Sequence, residues 1–157
     1  RVNSGEGRVR DCEFIDITID ASASDKDPLI VTDGVSGNAP TNLRFDGLTL
    51  LNSSRWGANL EAVDDSTFID TRIERSDRSA VRLRNPGPKG VELHRTTVVD
   101  ANLGTDNNDE AIRLTSGVDT DNVLIDGVRV RRSDGVSRAP TLAVNVTGGW
   151  TVWGNEV

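Results

Sequence analysis

The sequence predicts an all-β protein wound as a parallel solenoid, each turn of chain covering the apolar side of the next. Three observations predict it. A short apolar motif recurs along the whole chain. A second, strictly alternating strand type precedes its later copies, with apolar residues at i and i+2. No stretch carries the helical period, and β-branched residues abound between segments punctuated by Gly, Asn, Asp and Pro.

The motif is Φ-x-Φ-x-G-x-x-Φ, with Φ apolar. A degraded copy uses Cys12, Phe14 and Ile17, and a full one follows at Leu43, Phe45, Gly47 and Leu50. Ser66 spoils the first apolar place of the copy at Phe68, Asp70 and Ile73, and Arg95 replaces the glycine in the copy at Val91, Leu93 and Val98. The series closes at Val123, Ile125, Gly127 and Val130, then Trp150, Val152, Gly154 and Val157. The copies start at irregular intervals of roughly 23 to 33 residues. The alternating strands read "NLEAV" from 59, "AVRLRN" from 80, "AIRLTSG" from 111 and "TLAVNV" from 141, with "LIVTDG" from 29 as a relative. Short strands joined by turns, with no helix between, cannot bury an apolar side alone. Stacked at about 4.8 Å per coil they can, and about six coils make a rod on the order of 30 Å long. A hairpin sandwich would use tight Asn-Gly turns, and no Asn-Gly pair occurs.

A chain of 157 residues is one domain, 1–157, with room for one continuous core. Its 27% charged and 35% hydrophobic residues fit a folded protein. A net charge of −7 and a pI near 4.7 argue against nucleic acid or an anionic membrane as partner. No apolar run approaches the roughly 18 residues of a membrane span. The chain has no Met, which reads as a processed chain or a segment of a larger protein. The lone Cys12 cannot close an internal disulfide.

These strands, and the closing "VTGGWTVWGNEV" in particular, resemble the right-handed parallel β-helix of the pectin-lyase-like superfamily over most of residues 7 to 157. The resemblance implies an extracellular or cell-surface protein that holds polysaccharide on the face of its alternating strands and their flanking loops. It implies lyase or hydrolase chemistry on acidic glycans where the protein is an enzyme. The same architecture also builds non-catalytic rods in surface layers, fibres and phage tail spikes, the alternative for this chain.

The alternating strands locate the candidate site. With Leu60 and Ala62, Val81 and Leu83, Ile112 and Leu114, and Leu142 and Val144 inward, the outward row is Glu61, Arg82, Arg113 and Ala143. Val63, Arg84, Thr115 and Asn145 form the next row. Row neighbours lie about 5 Å apart, so Arg82 and Arg113 can grip a uronate carboxylate or stand near an abstracted proton. The bland reading is a solvated row of ion pairs. Glu61, Arg84, Asn145 and Trp56, the last for stacking on a sugar, complete the substrate-binding candidates. Asp109 and Glu110, in the long loop "TDNNDE", are the carboxyl candidates and faintly resemble the acid pair of polygalacturonases. The Gly-His-Gly segment that accompanies that pair is absent, and the one histidine, His94, falls on the other strand type, as a solvated surface residue. Asp106, Asp109 and Glu110 also form a candidate calcium site, although Asp- and Asn-rich loops are commonly plain turns. Neither chain end carries a helix able to cap the stack. Further coils of the same protein, or self-association through open ends, are therefore expected.

Overall fold

Backbone turns that most residues avoid are repeated at the same corners of this molecule, winding after winding. The computed structural model describes residues 2–3, 9–32, 38–84, 89–104, 110–114, 122–133, 142–144 and 150–153, without the side chains of 3, 114, 142–144 and 150–153. At one corner Asp11, Asn42, Asp65, Gly90 and Asn122 all take positive φ, between 45° and 63°. At a second corner Asp16, Gly47, Asp70, Arg95 and Gly127 do the same, between 50° and 69°. Asn52, Arg75 and Asp100 make a third column, at 54° to 60°. Left-handed backbone costs an L-residue roughly 1–2 kcal/mol and is borne best by Gly, Asn and Asp. The glycine of the sequence motif is therefore the occupant of the second corner. A side chain at Gly47 would also place its Cβ 2.4 Å from Asp16 Oδ1. Arg95, the exception, is held there by two bonds to Asp70, Nε to Oδ1 at 2.7 Å and Nη2 to Oδ2 at 2.8 Å.

Between these corners the chain runs in short parallel strands. β1 (Val2–Asn3), β2 (Arg10–Ile15) and β3 (Thr18–Asp20) are followed by β4 (Leu29–Thr32), β5 (Thr41–Asp46) and β6 (Thr49–Ser53). Next come β7 (Ala58–Leu60), β8 (Thr67–Ile69) and β9 (Arg72–Ser76), then β10 (Val81–Leu83), β11 (Glu92–His94) and β12 (Thr97–Ala101). β13 (Ile112–Leu114), β14 (Val123–Asp126), β15 (Arg129–Arg131), β16 (Leu142–Val144) and β17 (Trp150–Trp153) complete the described strands. Every third strand stacks on the same face. Sheet A is β1-β4-β7-β10-β13-β16, sheet B is β17-β14-β11-β8-β5-β2 and sheet C is β15-β12-β9-β6-β3, all parallel. This is the expected parallel β-solenoid, and no helix occurs among the described residues. The windings in which all three strands and every strand side chain are described number three, 29–53, 58–76 and 81–101, not the six expected.

The core fills the space between the sheets. Leu43, Phe45, Leu60, Phe68, Ile73, Leu83, Leu93, Val98 and Ile125 are essentially sealed from solvent. Register puts like on like: Phe14, Phe45 and Phe68 stack with ring centroids 4.7 and 4.6 Å apart and planes within 8° of parallel. Such offset stacking adds to area burial, since rings at one strand spacing touch face to face along the solenoid axis. Ser66, which takes an apolar place of the motif, is also buried, and its hydroxyl accepts from the Leu43 N–H at 3.0 Å while donating to the Asp64 carbonyl at 2.8 Å. A polar residue is tolerated there because both of its hydrogen-bonding roles are filled.

Candidate functional site

The outer face of sheet A and the turns leading into it gather a concentrated cluster of partly buried charge. Each strand of this sheet is approached from sheet C. In the winding that contains β7, that approach carries Trp56. Its carbonyl accepts from Ser53 Oγ at 2.8 Å, and its N–H donates to Asp27 Oδ1 at 3.2 Å, one winding earlier. The indole is 7% exposed. Three guanidinium groups lie over it, Arg82 at 4.0 Å from the ring centroid, Arg55 at 4.5 Å and Arg78 at 5.1 Å. Cation–π attraction at this range fixes the arginines over the ring and is strengthened by partial desolvation.

Beside the indole lies a chain of polar contacts across three windings. Asn59 Nδ2 donates both to Asp27 Oδ2 and to Glu61 Oε1, each at 3.3 Å. Glu61 further accepts from Thr32 Oγ1 at 3.0 Å and from Arg84 Nη1 at 3.3 Å. Asp27 has only 1% of its side chain exposed, with Arg55 Nε 4.0 Å from Oδ1. Burial raises its pKa above the ordinary carboxylate value, and the Trp56 N–H, Arg55, Asn59 and Arg82 each pull it back. On the next winding Arg113 Nε stands 3.8 Å from Glu110 Oε2. Near these contacts the buried side-chain atoms Asn59 Oδ1, Ser79 Oγ and Glu110 Oε2 have no hydrogen-bond partner among the described residues. Buried polar atoms are rarely left so.

The structure brings most of the expected residues together and rearranges them. Arg82 pairs in register with Arg113, and Arg113 with Ala143, as the row required. Glu61 is not their neighbour. Val81 lies opposite Ala58 and Arg82 opposite Asn59, so β7 is shifted two residues from the expected alignment and Glu61 meets Arg84 instead. A two-residue slip keeps every side chain on its face and changes only its partner. Trp56 is a second correction: its ring is covered by guanidinium groups and does not offer a stacking surface to a sugar. His94 is a third. It is not simply solvated but sits on sheet B with its imidazole between Glu92 Oε2 at 2.9 Å and Asp126 Oδ2 at 3.3 Å. Asp106, Asp109 and Asn145 lie outside the described residues. Of the calcium candidates only Glu110 is described, facing Arg113, and no group of three His, Cys, Asp or Glu able to hold a metal occurs among the described residues.

Sequence reasoning missed Asp27, Arg55, Asn59 and Arg78. A usable mark was present: small residues Gly57, Ala80 and Ala111 precede three of the strands, and Leu60, Leu83 and Leu114 end them. A Cβ at Gly57 would come 2.4 Å from Ile73 Cγ2 and 2.7 Å from the Ala80 carbonyl oxygen, so this column admits little bulk. Aligning on it sets Asn59 against Arg82.

Arg55, Arg78, Arg82, Arg84 and Arg113 thus stand with three carboxyl groups, those of Asp27, Glu61 and Glu110, a cationic excess on a chain of net charge −7. Guanidinium groups on successive windings, about 4.8 Å apart, are suited to carboxylate or sulfate groups along an extended anion. No family model, curated protein or solved structure matches this chain.

Proposed function

We propose that the outer face of sheet A recognises an acidic polysaccharide, in an extracellular or cell-surface β-helix of the pectin-lyase-like kind. The observation that carries the reading is the arginine cluster over Trp56. An acidic molecule concentrates partly buried guanidinium groups on one sheet face and anchors them there with an aromatic ring. Fixed donors lose little conformational entropy on binding, which favours recognition over a merely solvated face. The glycan lies along the solenoid axis, with its carboxylates meeting Arg82 and Arg113 in turn. Catalysis draws less support: Asp27, whose protonation is shifted, is sealed from solvent, and Glu61 is tied to Thr32, Asn59 and Arg84. That internal saturation of Glu61 is what favours the second reading, a non-catalytic structural or adhesive rod whose partner is further coil of the same kind at its ends.

Calorimetric titration with oligogalacturonate and oligoalginate separates the two. Binding is expected to weaken about tenfold in Arg82→Gln and in Arg113→Gln, the loss typical of one charge-assisted contact, and to weaken steeply with salt. Equal affinity in wild type and both variants, or no binding across acidic glycans, overturns the glycan reading and leaves the rod. Appearance of unsaturated or of reducing ends during the titration reports lyase or hydrolase turnover.

A further inference from the structure

Where the strands of sheet C turn toward sheet A, next to the residues that carry Arg55 and Arg78, a groove of about 360 Å³ runs across four windings. Ser22 and Ser24 line it from the first winding, Asn52 and Ser54 from the second, Arg75 and Asp77 from the third, and Leu103 closes it on the fourth. Ser53 lines it as well and, through its hydroxyl on the Trp56 carbonyl, is the one lining residue that also touches the sheet A network.

Two features give the groove a ligand chemistry. Arg75 and Asp77 are both exposed, and their side chains make no hydrogen bond or ion pair among the described residues. Nearby charges elsewhere are used: Arg72 bonds Glu74 at 2.7 Å, and Asp20 takes Asn52 Nδ2 at 3.0 Å. The free groups here are one five-donor fork and one carboxylate acceptor, which cancel in charge. Around them stand hydroxyls and an amide, with Leu103 and Ala21 the only apolar lining and no aromatic ring. An anion gains nothing net from such a groove, and an apolar ligand finds no matching wall. A polyol, whose adjacent hydroxyls both donate and accept, matches all of it.

We propose that this groove is a second glycan subsite, for an uncharged saccharide stretch lying along the solenoid axis. The subsite stands independently of the reading of sheet A. Its carboxylate accepts from one sugar hydroxyl while the guanidinium donates to another; Asn52 Nδ2 and Ser54 Oγ already donate to Asp20 Oδ1 and to the Ser24 carbonyl, so these side chains serve the neighbouring ring chiefly as acceptors. Without an aromatic platform the affinity is weak, so the measurement is by nuclear magnetic resonance rather than calorimetry.

Neutral hexasaccharides of glucose, mannose and galactose are titrated against the ¹⁵N-labelled protein, with oligogalacturonate and the zwitterion glycine in parallel. At least one neutral sugar is expected to shift the Asn52, Ser54 and Asp77 amides. The double variant Arg75→Gln/Asp77→Asn is expected to weaken that binding about tenfold, and Arg82→Gln to leave it within about twofold, because Arg82 does not line the groove. The proposal is overturned if no neutral sugar moves those amides at millimolar concentration, if the double variant binds as wild type, or if oligogalacturonate or glycine binds there more tightly than every neutral sugar. Loss of oligogalacturonate binding in Arg82→Gln alone bears on sheet A and leaves the groove untouched.

Discussion

Sheets A and B carry comparable numbers of outward charges and treat them in opposite ways. On sheet B most charges meet a partner near the surface: Arg44 spans Glu13 at 3.1 Å and Asp46 at 2.6 Å, Arg95 grips Asp70, and Glu92 and Asp126 flank His94. Most of these side chains are a third to two-thirds exposed. Their pairs contribute little to stability and are weakened further by salt. On sheet A the carboxylates go inward, the guanidinium groups are stacked on a ring, and positive charge is left in excess. The contrast shows what distinguishes a binding face from a solvated one on the same scaffold. It is how far the charges are already answered by each other, and how much water has been removed from the carboxylates, since the guanidinium groups of the two faces are similarly exposed.

The largest effect expected is at Trp56. Replacing it with Ala removes a buried ring and the surface on which Arg55, Arg78 and Arg82 rest, at a cost of about 3–5 kcal/mol in urea unfolding. Arg44→Ala on sheet B, which removes two exposed pairs, is expected to cost less than about 1 kcal/mol. Equal losses from the two variants would dissolve the comparison.

The two faces should also respond to pH with opposite sign. Asp27 has its pKa raised above 3.8, chiefly by burial, so its folded form holds a proton more tightly than the unfolded chain does. Stability contributed by that proton is present below the unfolded value and is lost as pH rises through the raised one. Asp70 has its pKa lowered from 3.8, chiefly by the bond from Arg95, so its contribution is present at higher pH and is lost as pH falls. Urea midpoints measured from about pH 3 to pH 7 should therefore diverge. Asp27→Asn is expected to remove part of the decline with rising pH, and Asp70→Asn part of the decline with falling pH. Asp64 is raised by burial as Asp27 is, so the slopes are compared variant against wild type. Two variants with slopes of the same sign would refute the contrast between the faces.

How much of this was legible in the sequence follows from what alternation encodes. A period of two tells which face a residue occupies, so Arg82 and Arg113 were read correctly as outward neighbours from "AVRL" and "AIRL". It is silent on register shifts of two, and there the reading of Glu61 failed. Trp56 was legible as a loop residue but not as a buried one, because its burial depends on Asp27 and Arg82, in the windings before and after it. Asp27 itself has no local mark beyond an Asp-Pro pair ahead of a strand. The glycine slot was legible as a turn, and the structure supplies its cause, a left-handed corner stacked on itself five times over.

That corner gives the smallest and most discriminating expectation, at Arg95. The residue takes φ of 50° where the motif prefers glycine, and only its bonds to Asp70 recommend it. Arg95→Gly relieves the left-handed backbone, worth roughly 1–2 kcal/mol, while giving up an exposed, solvent-screened pair of little worth. Its unfolding free energy should thus equal or slightly exceed that of the wild type, reduced somewhat by the freer unfolded chain that glycine brings. Arg95→Ala keeps the strain and loses the pair, so it should fall about 1 kcal/mol below Arg95→Gly. If alanine instead proves as stable as glycine, the corner does not impose its geometry, and the repeated motif owes its glycines to something other than backbone conformation.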